Sequence, residues 1–221
     1  MSGLHHEPDP GKFRSMTMDE LNELVVDHLA KAPSLILVDG RSGSGKSTFA
    51  HKLAHLRGAN SVATDDVAWH LHPTEWVEEM LEGIIRPWAK GEPVAYRPSG
   101  WVRMHRSGQI ALPAGHDLII EGVGAARSEL APFAHLIVWV HADRVEARRR
   151  GIARDVAQGR DPEQAEQFWD EWMSFEEPFL EAEQPWTRAD LVVEGESDAS
   201  TNPQSVRVMV RARPRNAWQA V

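Results

Sequence analysis

The stretch Gly40-Arg41-Ser42-Gly43-Ser44-Gly45-Lys46-Ser47-Thr48 constrains this chain more than any other. It fills every fixed position of the pattern G-x-x-x-x-G-K-[ST]. The apolar run Leu35-Ile36-Leu37-Val38 precedes it, and a segment of helical character over 46–57 follows. That context turns a glycine-rich turn into a phosphate cradle. Glycines let the backbone curl so that successive N–H groups converge on anionic oxygens. The start of the following helix adds the positive end of its dipole. The pattern therefore assigns Gly40, Ser42, Gly43, Ser44, Gly45, Lys46, Ser47 and Thr48 to ATP binding. Lys46 reaches the β- and γ-phosphates, and the Ser47 hydroxyl ligands Mg²⁺.

Four further apolar runs lie downstream: Ser61-Val62-Ala63-Thr64, Leu118-Ile119-Ile120, Leu136-Ile137-Val138-Trp139-Val140 and Leu191-Val192-Val193. Runs that are apolar throughout belong to sheets covered on both faces. Segments 46–57, 74–90, about 143–159 and about 162–183 read as helices between them. Alternating strands and helices imply right-handed crossovers. The expected fold is α/β: a three-layer phosphate-loop NTPase fold, with a five-stranded parallel sheet flanked by helices. With 221 residues, 42% hydrophobic and 26% charged, one domain over 17–195 accounts for the chain. Residues 1–16, with Pro8, Pro10 and Gly11, read as a flexible end. Thr17-Met18-Asp19-Glu20 is a capping box that opens a helix. Residues 196–221 read as a linker followed by an edge strand, where Val206, Val208 and Val210 alternate with polar positions and Met209.

Composition removes several function classes. There is no cysteine, so a disulfide scaffold, a thiolate metal site and a Cys nucleophile are all excluded. The 24 basic residues against 33 acidic give a net charge of −9, the wrong sign for sequence-independent nucleic-acid binding. No run approaches the roughly 18 apolar residues of a membrane span, and no secretory signal is visible at the N-terminus. The expectation is a cytoplasmic protein with neither nucleic acid nor membrane as partner. Association with further copies of itself stays open.

In parallel α/β sheets ligands sit at the carboxyl ends of the strands, so the residues after each apolar run are the ones that matter. Asp65 and Asp66 follow the second run. A carboxylate there is placed to accept a proton from an attacking hydroxyl or to hold the water shell of Mg²⁺, and an Asp pair also caps helices. Glu121 closes the third run and suits an outer-shell magnesium ligand. The fourth run leads into 143–161, which holds Arg148, Arg149, Arg150, Arg154 and Arg160. Guanidinium groups on such a segment would neutralise a phosphoryl group in transit. Without an anion or nearby carboxylates they repel one another, which predicts an open segment with its arginines in water. Neither an Asn-Lys-x-Asp guanine reader nor a strand-end Asp-x-x-Gly switch is present, which argues against a GTPase.

Together these residues resemble the uridine kinase-like branch of phosphate-loop kinases, which includes phosphoribulokinase, pantothenate kinase and nicotinamide riboside kinase. The resemblance covers about residues 34–195. It rests on the order of the loop, Asp65-Asp66, Glu121-Gly122, the Arg149-Arg150…Arg154-Asp155…Gly159-Arg160-Asp161 segment and Trp186-Thr187-Arg188-Ala189-Asp190-Leu191. It implies that Asp65 is the base and that Arg150, Arg154 and Arg160 belong to an Arg-rich lid over about 143–161. The family's Asp-x-Phe-Tyr reads Asp65-Asp66-Val67-Ala68 here, with the aromatic displaced to Trp69. The implied activity is ATP-dependent transfer of the γ-phosphoryl group to a hydroxyl of a small molecule, with a nucleoside-like acceptor favoured. A phosphorylated or anionic acceptor is one alternative, and a non-catalytic ATP-binding regulator is another. The acceptor pocket is expected at Asp66, Trp69, His70, Tyr96, Arg97 and Trp101. Its aromatics would stack on a nucleobase or close an apolar wall, and Arg97 would meet an anionic acceptor.

Overall fold

Strand β2 (Leu35–Gly40) is buried at every position, as its unbroken apolar run requires, and lies inside the main sheet. The computed structural model describes residues 13–29, 33–71, 75–195 and 205–210. Strand β2 pairs in parallel with β6 (Leu118–Glu121) on one side and β7 (Leu136–His141) on the other. Strand β3 (Asn60–Ala63) pairs in parallel with β6, and β8 (Leu191–Glu194) with β7. These are the five expected parallel strands, and the strand that leads to Asp65 is separated from β2 by β6.

Among the described residues the sheet has seven strands rather than five, in the order β1 (Arg14–Thr17), β9 (Ser205–Val210), β8, β7, β2, β6, β3. The two extra strands are antiparallel. Strand β9 pairs with β8, and β1 pairs with β9. The expected edge strand is thus internal, and residues 14–16, read as part of a flexible end, supply the true edge. Val206 and Val208 bury one face of β9. Four-residue β1 has no periodic apolar signature and is held by its ladder to β9. The remainder of 1–16 and of 196–221 lies outside the described residues.

Helices cover both faces. On one side α1 (Met18–His28) and α2 (Lys46–Arg57) set Leu21, Val25, Phe49 and Leu53 against Ile36, Val38, Ile119 and Val138. The α1 capping box forms: Thr17 Oγ1 accepts from the Glu20 amide at 3.1 Å, and the Glu20 carboxylate accepts from the Thr17 amide at 2.7 Å. On the other side Leu35, Leu37, Ile120 and Trp139 meet Met80, Ile84, Ile85, Leu180 and Trp186. Each such aliphatic side chain contributes about 1.5–3 kcal/mol by leaving water.

The helix expected over 74–90 is built from α4 (Val77–Met80), a π-helical turn (Leu81–Ile85) and α5 (Arg86–Ala89). A separate antiparallel hairpin, unanticipated from the sequence, pairs β4 (Val94–Tyr96) with β5 (Ile110–Leu112), and α6 (Ser99–Arg103) lies in its connection. Helix α3 (Thr64–Ala68) follows β3 directly. Helices α7 (Arg144–Ala157) and α8 (Pro162–Glu183) start at Asp143 and Asp161, whose carboxylates each accept two amides of the first turn. Among the described residues no helix is long and apolar enough to cross a membrane.

Candidate active site

Parallel pairing puts the carboxyl ends of β2, β6 and β3 at one edge of the sheet, and the candidate site is built there. The loop after β2 turns into α2 at Gly45, which has φ +90°, and no side chain caps the helix. The first amides of α2 are thereby offered to an anion rather than to the protein. Lys46 folds back along the loop, with Nζ 3.4 Å from the Arg41 carbonyl oxygen. The Ser44 hydroxyl is buried without a protein partner. Gly43 has φ +74°, and a Cβ there would fall 2.0 Å from the Ala147 carbonyl oxygen, so only glycine lets the loop lie against α7.

Ser47 Oγ donates to Glu121 Oε2 at 3.0 Å, which joins the loop to the end of β6. Burial raises the Glu121 carboxyl above its ordinary value. Lys46, the Ser47 hydrogen bond and His51 oppose the rise, and Asp65 adds to it. Lys46, Ser47 and Asp65 each therefore act on Glu121. A hydroxyl and carboxylates in this arrangement are the hard oxygen donors that Mg²⁺ takes, and Ser47 with Glu121 fits that ion. Gly122 follows with φ +139°, where a Cβ would strike the Thr64 hydroxyl at 1.9 Å. Its absence lets the start of α3 close onto β6.

Asp39, the residue before the loop, was not singled out from the sequence. It is fully buried and accepts from the amides of Gly40 at 2.7 Å, Gly124 at 3.1 Å and Ala126 at 2.9 Å. Burial pushes its carboxyl up to about 6, against those amides and Lys46. An acidic residue ending an apolar strand just before a glycine loop was the available signal.

Asp65 lines a narrow, partly open recess. Its walls are Trp76 together with Trp172, Phe175, Glu176 and Phe179 of α8, and its remaining lining includes Val123, Gly124 and Arg127. Arg127 is held by Glu129, with Nη2 to Oε1 at 2.8 Å, and its guanidinium lies 5.7 Å from the Trp76 ring and 5.5 Å from that of Phe179. The expected acceptor residues do not line this recess. Tyr96 donates to Glu79 at 2.9 Å, and burial followed by that hydrogen bond pushes its hydroxyl up to about 12. Arg97 donates to the Arg106 carbonyl at 2.7 Å. Trp101 donates to the Asp66 carbonyl at 2.7 Å, and Arg106 lies over Trp101 at 3.6 Å and over Trp69 at 5.1 Å while bonding Asp66 at 3.3 Å. The carbonyl of His70 accepts from Arg103.

The arginines of 143–161 are not bare in water, as had been expected. Glu146 accepts from both Arg149 and Arg150 at 2.8 Å, and these hydrogen bonds lower its carboxyl to about 2. Arg154 bonds Asp155 at 2.8 Å, Arg148 faces Glu166 and Asp170 of α8, and Arg160 lies 3.9 Å over Phe168. Of the two compensations expected, an anion or nearby carboxylates, carboxylates on the same two helices are the one present for Arg148, Arg149, Arg150 and Arg154. Helices α7 and α8 are in close contact at Gly151, where a Cβ would fall 1.9 Å from the Trp169 ring.

A family model described as an AAA domain, AAA_33, matches residues 35–178. Among solved structures, a candidate fructose transport system kinase from Silicibacter sp. TM1040 is 20% identical, with 69% of this chain and 87% of that chain covered and a TM-score of 0.47. A candidate uridine kinase from Bacillus stearothermophilus is 21% identical, with 79% of this chain and 95% of that chain covered and a TM-score of 0.47. No curated protein matches.

Proposed function

Because the chain belongs to the AAA-domain family, we propose that its loop binds ATP and that it is a kinase passing the γ-phosphoryl group to a hydroxyl of a small molecule. The observation that carries this reading is the contiguity of three parts. Asp65 borders the aromatic recess and also acts on Glu121, which is hydrogen-bonded to the loop through Ser47. A hydroxyl seated in the recess is then beside a base and next to the phosphates. The acceptor oxygen attacks the γ-phosphorus, its proton passes to Asp65, and the bond from phosphorus to the β,γ-bridging oxygen breaks to leave ADP. Lys46 holds the β- and γ-phosphates, and Ser47 with Glu121 would hold Mg²⁺, which neutralises phosphate charge when bound. Arg150 and Arg154 serve as the lid by exchanging their present carboxylate partners for the transferring group, and Arg160 by leaving the Phe168 ring for it.

The recess favours an uncharged, flat acceptor such as a nucleoside over a phosphorylated one. Four aromatic rings line it with Asp65 and Glu176, while its one lining cation, Arg127, is already bound to Glu129. An added phosphate would meet net negative charge there.

The test follows ATP consumption with Mg²⁺ against a panel of nucleosides, sugars and pantothenate-like acids, in the wild type and in Lys46→Ala. The wild type should consume ATP with at least one uncharged acceptor, and EDTA should stop it. Lys46→Ala should lose about 10²–10³-fold or more at unchanged circular dichroism. Equal consumption by the two proteins sinks the phosphate-loop mechanism. Nucleotide binding with no turnover on any acceptor would favour the regulator instead.

A further inference from the structure

Glu176 sits in the middle of α8, 134 residues from Ser42 in sequence, and is only 2% exposed. A carboxylate so placed is costly unless hydrogen bonds meet it. The phosphate loop supplies one of them: the Ser42 amide donates to Glu176 Oε1 at 3.0 Å. The Trp172 indole N–H lies 2.7 Å from Glu176 Oε2 and 2.8 Å from the Ser42 hydroxyl. Trp172 and Glu176 are four residues apart on one helix, so a single face presents both groups to the loop. Glu176 also borders two spaces. One is the recess that holds Asp65, and the other is a wider recess lined by Arg41, Arg144 and Arg148.

We propose that Glu176 is a positioning residue that clasps the tip of the phosphate loop and, through α8, ties the loop to the acceptor recess. The proposal rests on reading the loop as a nucleotide site. A charge-assisted hydrogen bond holds a backbone amide more firmly than a neutral one. Ser42 lies four residues before Lys46, on the part of the loop away from the start of α2, so the clasp governs how the loop meets the terminal phosphate more than the inner ones. Phe175 and Phe179, within one turn of Glu176 on the same helix, are walls of the recess. An acceptor that moves them moves the clasp, and the resulting coupling acts equally in both directions.

The experiment uses the full chain with Mg²⁺, titrated with ADP and with a non-hydrolysable ATP analogue by calorimetry and tryptophan emission. Glu176→Gln keeps the size of the side chain but sets an NH₂ against one of the two donors. It should weaken the ATP analogue about tenfold while leaving ADP within about threefold. Trp172→Phe should show a smaller loss of the same kind, about threefold, and should lose most of the emission change seen on binding. Should Glu176→Gln fail to fold by circular dichroism, Trp172→Phe decides alone. Wild-type affinity for both nucleotides in the folded variants overturns the clasp. A wild-type protein that binds neither nucleotide overturns the nucleotide-site reading and the clasp together. An equal loss for ADP and the analogue overturns the tip assignment and leaves the nucleotide site standing.

Discussion

Two clusters of aromatic side chains adjoin α3, and they are put to opposite uses. Beside Asp66, Trp69 and Trp101 are closed by Arg106, and the indole of Trp101 is spent on the Asp66 carbonyl. Beside Asp65, Trp76, Trp172, Phe175 and Phe179 border a recess. Each cluster contains an arginine, but Arg106 fills its slot whereas Arg127 stands at the wall, held by Glu129. Aromatic content alone does not distinguish a packed layer from a binding wall. What distinguishes them here is that Arg106 lies over the rings of one cluster, whereas the other borders a recess.

The largest test of this contrast compares the two carboxylates. Asp65→Asn should lower kcat by about 10²–10⁴-fold with ATP affinity little changed, since it removes a proton acceptor. Asp66→Asn should lose at least about tenfold less, because its half-exposed pairing with Arg106 is worth little. Equal losses in steady-state kinetics would break the comparison.

On the closed side, Trp101→Ala removes a ring that is 6% exposed and should cost about 3–5 kcal/mol in denaturant unfolding. A change under 1 kcal/mol would mean that the cluster is not the packed layer described.

On the open side, Asp39 fixes the amides of Gly124 and Ala126, so it shapes one wall of the recess. Its folded-state carboxyl stands at about 6, above the ordinary 3.8. The corresponding stability is full below pH 4 and is lost as pH rises through 6, on the order of 2–3 kcal/mol. Thermal melts from pH 4 to 7 should show this fall in the wild type and not in Asp39→Asn, after subtraction of effects common to both. Parallel pH curves for the two proteins count against it.

The smallest effect is expected at Phe175, which is 47% exposed. Phe175→Ala should change stability by no more than about 0.5 kcal/mol yet raise the KM of whichever acceptor the panel yields. An unchanged KM would move the acceptor away from α8.

The sequence carried the parts of the molecule that are set by local geometry. The loop from Gly40 to Thr48, the buried runs and the helix starts at Asp143 and Asp161 are each specified within a few residues. So was the meeting of Ser47 with Glu121, because parallel strands bring their carboxyl ends to one edge whatever the loops do. The aromatic recess beside Asp65 was not legible. Aromatics recur along 162–183 at helical spacing, which says that they share faces but not what those faces meet. Trp69 and Trp101 stand nearer Asp65 and Asp66 in sequence, and only the position of Arg106 reveals that they are closed. The pairing of β1 with β9 escaped for a similar reason, since Arg14 finds Val208 across almost the whole chain.

That pairing fixes an order of events during synthesis. Strand β1 leaves the ribosome among the first of the described residues, yet its partner comprises residues 205–210, the last of them. At about 5–20 residues per second, on the order of 10–40 s separates the two. Throughout that interval the parallel strands can assemble behind β1 while its own ladder stays unformed. Among the described strands the first to be made is the last to find its place, and the sheet keeps an open edge at β8 until residues 205–210 are made.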